Sequence, residues 1–156
     1  GRGTEEVKTN DLTGRVDVGE IGYVIEMGRP GVGVRFDQIQ AMTAALANIG
    51  VEFEAKNPIT NLMTDRRNGT LKTDILNEKI LSAIIEIKTS AQVVRDVLHT
   101  VRSTGKKLET VVSVGVATRC SDDGDDLVLA PLLSGIDVQF ERAKTNMGLG
   151  RITNTR

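Results

Sequence analysis

Residues 21–54 constrain the fold more than any other stretch, because their periodicity changes twice within one short run. Ile21, Tyr23, Ile25 and Met27 alternate with Gly22, Val24 and Glu26, the period of a strand with one face in a core. Gly28, Pro30, Gly31 and Gly33 then break the alternation, since glycine reaches positive φ at no steric cost and proline has no N–H for a ladder. Phe36, Ile39, Met42, Leu46 and Ile49 follow at spacings of three, three, four and three, which lines them on one helical face. Gly50 supplies a helix stop, and Val51 with Phe53 begins a second alternating run.

A second unit repeats this order. Residues 80–87, ILSAIIEI, are rich in β-branched side chains and read as a strand. Ser90 is placed to cap a helix whose apolar face is Val94, Val97, Leu98 and Val101, Gly105 closes it, and residues 110–116, TVVSVGV, form the next strand. Strand, helix and strand thus occur twice, as a pseudo-repeat. Right-handed crossovers place both helices on one face of a four-stranded, mainly antiparallel sheet. The expected fold class is α+β, a ferredoxin-like βαββαβ sandwich with a C-terminal hairpin and helix extension, its other sheet face left to a second subunit, a domain or the tail.

Three segments follow from this layout: a flexible lead-in over residues 1–14, the ferredoxin-like domain over 15–120, and an extension over 121–156 that packs on the same domain. Val16 and Val18 are expected to start a short strand. Residues 57–70 read as a loop or broken hairpin, with Asn68-Gly69 as its turn. Residues 121–126, SDDGDD, read as a turn leading into a strand of Leu127, Val128 and Leu129. A helix then starts at Pro131 and carries Leu132, Leu133, Ile136, Phe140, Ala143 and Met147, although Ile136, Val138 and Phe140 also alternate like a strand.

The wording Arg29-Pro30-Gly31-Val32, then a helix, then Asn48-Ile49-Gly50-Val51 and a strand, resembles the ACT domain, a ferredoxin-like module. The resemblance covers residues 21–116. Its span from Gly31 to Gly50 is longer than the family pattern by about a turn and a half of helix, and Glu52 stands where an asparagine is common. The resemblance implies a regulatory module that pairs with another copy and binds an amino acid or similar small ligand near the turn after the first strand. By position it puts Arg29, Gly31 and Val32 at the site; the extra length leaves Gly33 and Val34 without a fixed counterpart in the family pattern.

The residues themselves point to an anion at the same place. Glycines let backbone N–H groups converge, the following helix offers its positive end, and Arg29 and Arg35 add forked donors, a set suited to a carboxylate or phosphate. The candidate ligand-binding residues are therefore Arg29, Gly31, Val32, Gly33 and Arg35. The competing reading is a plain tight turn with solvated arginines. Neither a dinucleotide fingerprint nor a P-loop is present, because the glycine spacing and the Lys-Ser/Thr pair are missing.

Other charged clusters carry less. Asp122, Asp123, Asp125 and Asp126 lack the ligand spacing of a calcium loop and read as a solvated turn, so no metal and no cofactor is expected. His99 is the only histidine and reads as a boundary residue, Cys120 as a small apolar filler, and no third group orients them as a nucleophilic pair. Lys56, Asn57, Asp65, Arg66 and Arg67 put charge on the connection between the halves. An enzyme would act where that connection meets the Gly31 turn, with Glu26 or Glu54 as base.

Composition narrows the partners. With 20 basic and 21 acidic residues, a net charge of -1 and 3% aromatics, the chain has neither the field nor the stacking surface that collects nucleic acid, and no field for an anionic membrane. A single cysteine excludes an internal disulfide and a cysteine zinc cluster and fits a reducing cytoplasm, where this chain is expected. No run approaches the ~20 apolar residues that span a bilayer. The leading expectation is a cytoplasmic regulatory or ligand-binding domain, a homo-oligomer that recognises a small anionic metabolite. The alternatives are a small enzyme or enzyme subunit clamping substrate with the same loop, without assignable catalytic residues, and a structural assembly subunit.

Overall fold

The computed structural model describes residues 15–29, 31–121, 123–125 and 128–134. In chain order its elements are β1 (Glu20–Met27), β2 (Val34–Arg35), α1 (Phe36–Ala47), β3 (Glu52–Phe53), α2 (Pro58–Asn61), β4 (Met63–Asp65), β5 (Thr70–Leu71), β6 (Lys79–Ile80), β7 (Ala83–Ser90), α3 (Val94–Gly105), β8 (Val112–Ala117) and α4 (Leu129–Leu133). The fold is α+β. Its main sheet has four strands in the order β3-β7-β1-β8, every neighbour antiparallel, and two-stranded ladders join β2 to β6 and β4 to β5.

The alternation of β1 sets the layers. Ile21, Tyr23, Ile25 and Met27 are buried on one face, and the register places Tyr23 beside Ile87, Ile25 beside Ile85 and Met27 beside Ala83. These side chains share one core with Phe36, Ile39, Met42 and Leu46 of α1 and Val94, Val97 and Val101 of α3. A helix of 12 residues is marginal by itself, so α1 and α3 owe their stability to this burial, each large apolar side chain contributing about 1.5–3 kcal/mol. Leu129 and Leu133 of α4 enter the same core, and the Arg95 guanidinium donates to the Ser134 carbonyl at 3.3 Å.

The opposite sheet face mixes charged and small or apolar residues. Gly22, Val24 and Glu26 align there with Lys88, Glu86 and Ile84 on one side and Ala117, Gly115 and Ser113 on the other. Val16 crosses this face: a Cβ on Gly22 would lie 2.8 Å from its Cγ2. The segment is pinned by Lys88 Nζ on the Arg15 carbonyl at 3.2 Å and Arg119 Nε on the Val16 carbonyl at 3.0 Å. It is not the expected strand. The Glu20 amide bonds back to the Asp17 carbonyl at 3.0 Å and Gly19 takes φ +85°, a turn that leaves Val18 exposed.

Other boundaries move as well. Ile80 belongs to β6, and the exposed Leu81 separates it from β7. Ser90 makes no side-chain cap; residues 91–93 form a 3₁₀ turn and α3 starts at Val94. Residues 57–70 hold a short helix, capped by Asn57 Oδ1 on the Ile59 amide at 2.9 Å, and a hairpin closed at Asn68-Gly69. Leu129 is helical rather than the end of a hairpin strand. Helix α4 begins two residues before Pro131, which tolerates a third helical position because its amide would have no intrahelical partner. Expectations for residues 1–14, Pro30, Asp122, Asp126, Leu127, Ile136, Val138, Phe140, Ala143 and Met147 lie outside the described residues.

Candidate functional site

The turn after β1 is tied together at Gly28. Its amide donates to the Val111 carbonyl at 3.0 Å, and its carbonyl accepts from the Val32 and Gly33 amides at 3.1 and 2.9 Å. With φ at +92°, a Cβ here would sit 2.9 Å from both the Gly33 carbonyl carbon and the Leu81 carbonyl oxygen, so backbone from three segments meets where only glycine fits. Thr110 Oγ1 donates to the Gly33 carbonyl at 2.8 Å, and β2 then pairs with β6, Val34 opposite Ile80.

This closure changes the expected chemistry. The first amides of α1 are also engaged, Phe36 to the Glu78 carbonyl at 3.1 Å, Asp37 to the Leu76 carbonyl at 3.0 Å and Gln38 to Asp37 Oδ1 at 2.7 Å. The helix N-terminus and the Val32 and Gly33 amides are thus satisfied within the protein and do not converge on an anion. Val32 and Gly33 bond locally, back to Gly28, whereas the carbonyls of Leu76 and Glu78 that take the Asp37 and Phe36 amides are distant, a pairing that no local pattern reveals.

The side chains remain available. Arg29 Nη1 meets Glu26 Oε1 at 3.2 Å, while Glu26 Oε2 accepts from Ser113 Oγ at 3.2 Å. Arg35 Nη2 donates to Asn77 Oδ1 at 3.2 Å and its Nε lies 3.6 Å from Asp37 Oδ1. A guanidinium has five donors, so each arginine keeps capacity for a ligand. Of the five candidate residues, Gly31, Val32 and Arg35 are exposed, Arg29 is half-buried and Gly33 is buried.

Exposed aliphatic residues stand on the adjoining backbone. Val32, Leu81 and Val111 are exposed by 44%, 83% and 39%, and the Gly28 contacts above bring their three backbones together. Among the described residues the other large exposed hydrophobic residue is Val18. Leu81 and Val111 could not be recognised from sequence, because both stand in runs that read as buried strands.

Of the two candidate bases, Glu26 is engaged by Arg29 and Ser113 as above, and Glu54 is held by neighbours of its own. Burial pushes the Glu54 carboxyl up, but the Lys56 amide at 2.9 Å and Arg15 Nη1 at 2.6 Å outweigh it and hold the group below the usual carboxylate range. Arg15 Nη2 also lies 3.5 Å from Glu86 Oε1, and Asn57 Nδ2 donates to Glu86 Oε2 at 2.7 Å. Arg15, Glu54, Glu86 and Asn57 thus form a polar network on the outer sheet face that sequence reasoning missed. Asp65 holds the hairpin turn through the Arg67 amide at 2.8 Å and Asn68 Nδ2 at 2.7 Å, while Arg66 and Arg67 are exposed. That hairpin bonds to α1, through Gln40 and Thr43, rather than to the Gly31 turn.

His99 is exposed on α3 and lines an open depression of about 430 Å³ with Arg102, Ser103, Lys106 and Lys107, whereas Cys120 is half-buried beyond β8. Among the described residues no three His, Cys, Asp or Glu side chains gather as a metal site, and no helix is long and apolar enough to cross a membrane. No protein-family model, curated protein or solved structure matches the chain.

Proposed function

We propose that this chain is a non-enzymatic binding module of ferredoxin-like arrangement that recognises a small anionic metabolite, an amino acid or a phosphorylated compound, beside residues 28–35. The ferredoxin-like reading is supported by the strand order β3-β7-β1-β8, with α1 following β1 and α3 following β7. The observation that carries the binding reading is the joining of Val32, Leu81 and Val111 at Gly28, on the same turn that bears Arg29 and Arg35. The ligand's charge meets the guanidinium groups, since the backbone donors are spent, and its apolar part covers the exposed aliphatic side chains. Binding then acts on oligomer or domain contacts through differential affinity for two arrangements. The enzyme alternative is not favoured, because the carboxylates it needs are held by arginines.

Thermal-shift and calorimetric screening against amino acids and phosphorylated metabolites tests this. A hit is expected, weakened about tenfold or more by Arg29→Ala or Arg35→Ala, the loss of one charge-assisted hydrogen bond. No hit across both ligand classes, or a hit indifferent to both substitutions, refutes the reading.

A further inference from the structure

The two edges of the main sheet differ in character. The β3 edge is two residues long and carries the exposed Glu52, whereas β8 is six residues of unbroken register, VSVGVA, without charge or proline. Natural edges are usually blunted by charge, proline, a bulge or shortness, and β8 has none of these. The Val111 carbonyl bonds to the Gly28 amide, so antiparallel alternation turns Ser113, Gly115 and Ala117 toward β1. The N–H and C=O groups of Val112, Val114 and Val116 therefore face outward. None of these three residues has a backbone partner on that side among the described residues.

We propose that β8 pairs antiparallel with β8 of a second copy of this chain across a twofold axis at Val114, joining two four-stranded sheets into one. In this register Val114 faces its own counterpart and Val112 faces Val116 of the second copy, so every outward N–H finds a C=O. A second copy fits better than a charged foreign strand. Twofold pairing sets like residues near one another, which penalises any charged edge, and this edge is uncharged. The core-facing pairs are valine with valine, a favourable cross-strand combination, and the outer face brings together only Ser113 and Gly115. Extended past the strand ends, the same register runs Glu109 of one copy toward Arg119 of the other, opposite charges at both ends. The pairing does not require the ligand reading, and the two surfaces meet only at Val111, which the extended register sets opposite Ala117 of the second copy.

Sedimentation equilibrium of the full chain, combined with residue-resolved amide exchange, tests it. A dimer is expected, with the amides of Val112, Val114 and Val116 exchanging at least about tenfold more slowly at concentrations that populate it than at those that dissociate it. Val114→Pro removes one outward N–H without touching the β1 ladder, and a monomer retaining the far-UV circular dichroism of the parent is expected. The proposal is overturned by a parent chain that is monomeric at all concentrations, by a dimer in which these amides exchange freely, or by a folded Val114→Pro chain that still dimerises. Should that variant not fold, the exchange comparison on the parent chain decides.

Discussion

Replacing Gly69 by alanine tests how tightly the β4–β5 hairpin is seated on α1. Gly69 has φ +66°, and its carbonyl accepts from the fully buried Thr43 hydroxyl at 2.6 Å. A Cβ built on it points into the Thr43 carbonyl and lies 2.7 Å from the Ala44 amide nitrogen. Two costs add. Holding an L-residue at positive φ costs about 1–2 kcal/mol. The obstacle is helix backbone, which cannot swing aside as a side chain would, so the hairpin must lift. That breaks the Thr43 to Gly69 bond and takes this donor from the buried Gly69 carbonyl, a further loss of about 1–3 kcal/mol. Lifting also strains the bond from the Leu71 amide to Gln40 Oε1 and the burial of Leu71. A total of about 2–5 kcal/mol is expected, a large share of the roughly 5–15 kcal/mol that stabilises a domain. Gly50→Ala is the control: φ is +75° but nothing lies within 4 Å of a Cβ, so only the backbone cost of about 1–2 kcal/mol applies. Urea denaturation followed by circular dichroism compares the two variants directly. If Gly69→Ala falls within about 0.5 kcal/mol of Gly50→Ala, the hairpin yields freely and the close approach has no energetic meaning.

Two further outcomes concern titration. Tyr23 is the only tyrosine and no tryptophan is present, so phenolate absorbance reports one group. Burial pushes its hydroxyl up to about 12, with the bond to Thr89 pulling the other way. Because the folded value exceeds the unfolded value of 10.0, the associated stability is complete below that pH and is lost as pH rises toward about 12; ionisation at the ordinary value in the folded protein would contradict this. Glu54 is depressed, so its contribution is present at neutral pH and lost as pH falls through its folded pKa. Arg15→Gln should cost under about 1 kcal/mol at neutral pH, since the pair is partly exposed, and should flatten the acid limb of a stability profile, which identical profiles for parent and variant would disprove.

What the sequence made legible is what burial imposes on local periodicity. Ile21 to Met27, the stripe from Phe36 to Leu46 and the Val94, Val97, Val101 face all lie at the core because one-sided burial forces a two- or 3.6-residue period. Elements too short to show a period escaped: β2 and β6 are two residues each, and Ile80 looked continuous with β7 until the exposed Leu81 separated them. Helix α2 carried a readable signal, Asn57 as cap followed by Pro58, but four residues leave no amphipathic stripe. At the candidate site the glycines marked the turn correctly. The destinations of its amides depended on partners far along the chain, at Leu76, Glu78 and Val111. The Arg15, Glu54, Glu86 network failed for the same reason, its members being separated in sequence and joined only by strand pairing.

The closed turn has a consequence for the ligand reading. A loop whose amides stay free can bind a bare anion, because its donors are held in place before the ligand arrives. Here the amides at Gly28, Val32, Gly33, Phe36 and Asp37 instead fasten the end of β1 to the starts of β8 and α1 and to residues 76–78, so the glycines build a stiff platform. Recognition on such a platform falls to the side chains it carries. Arg29 and Arg35 already have acidic or amide neighbours, which a competing anion must displace or share. Each guanidinium therefore contributes about one charge-assisted hydrogen bond, and the rest of the affinity must come from covering Val32, Leu81 and Val111. On the proposed reading, inorganic phosphate should bind more weakly than a carboxylate that carries an aliphatic body, and titrating both in parallel with the arginine variants ranks the two contributions.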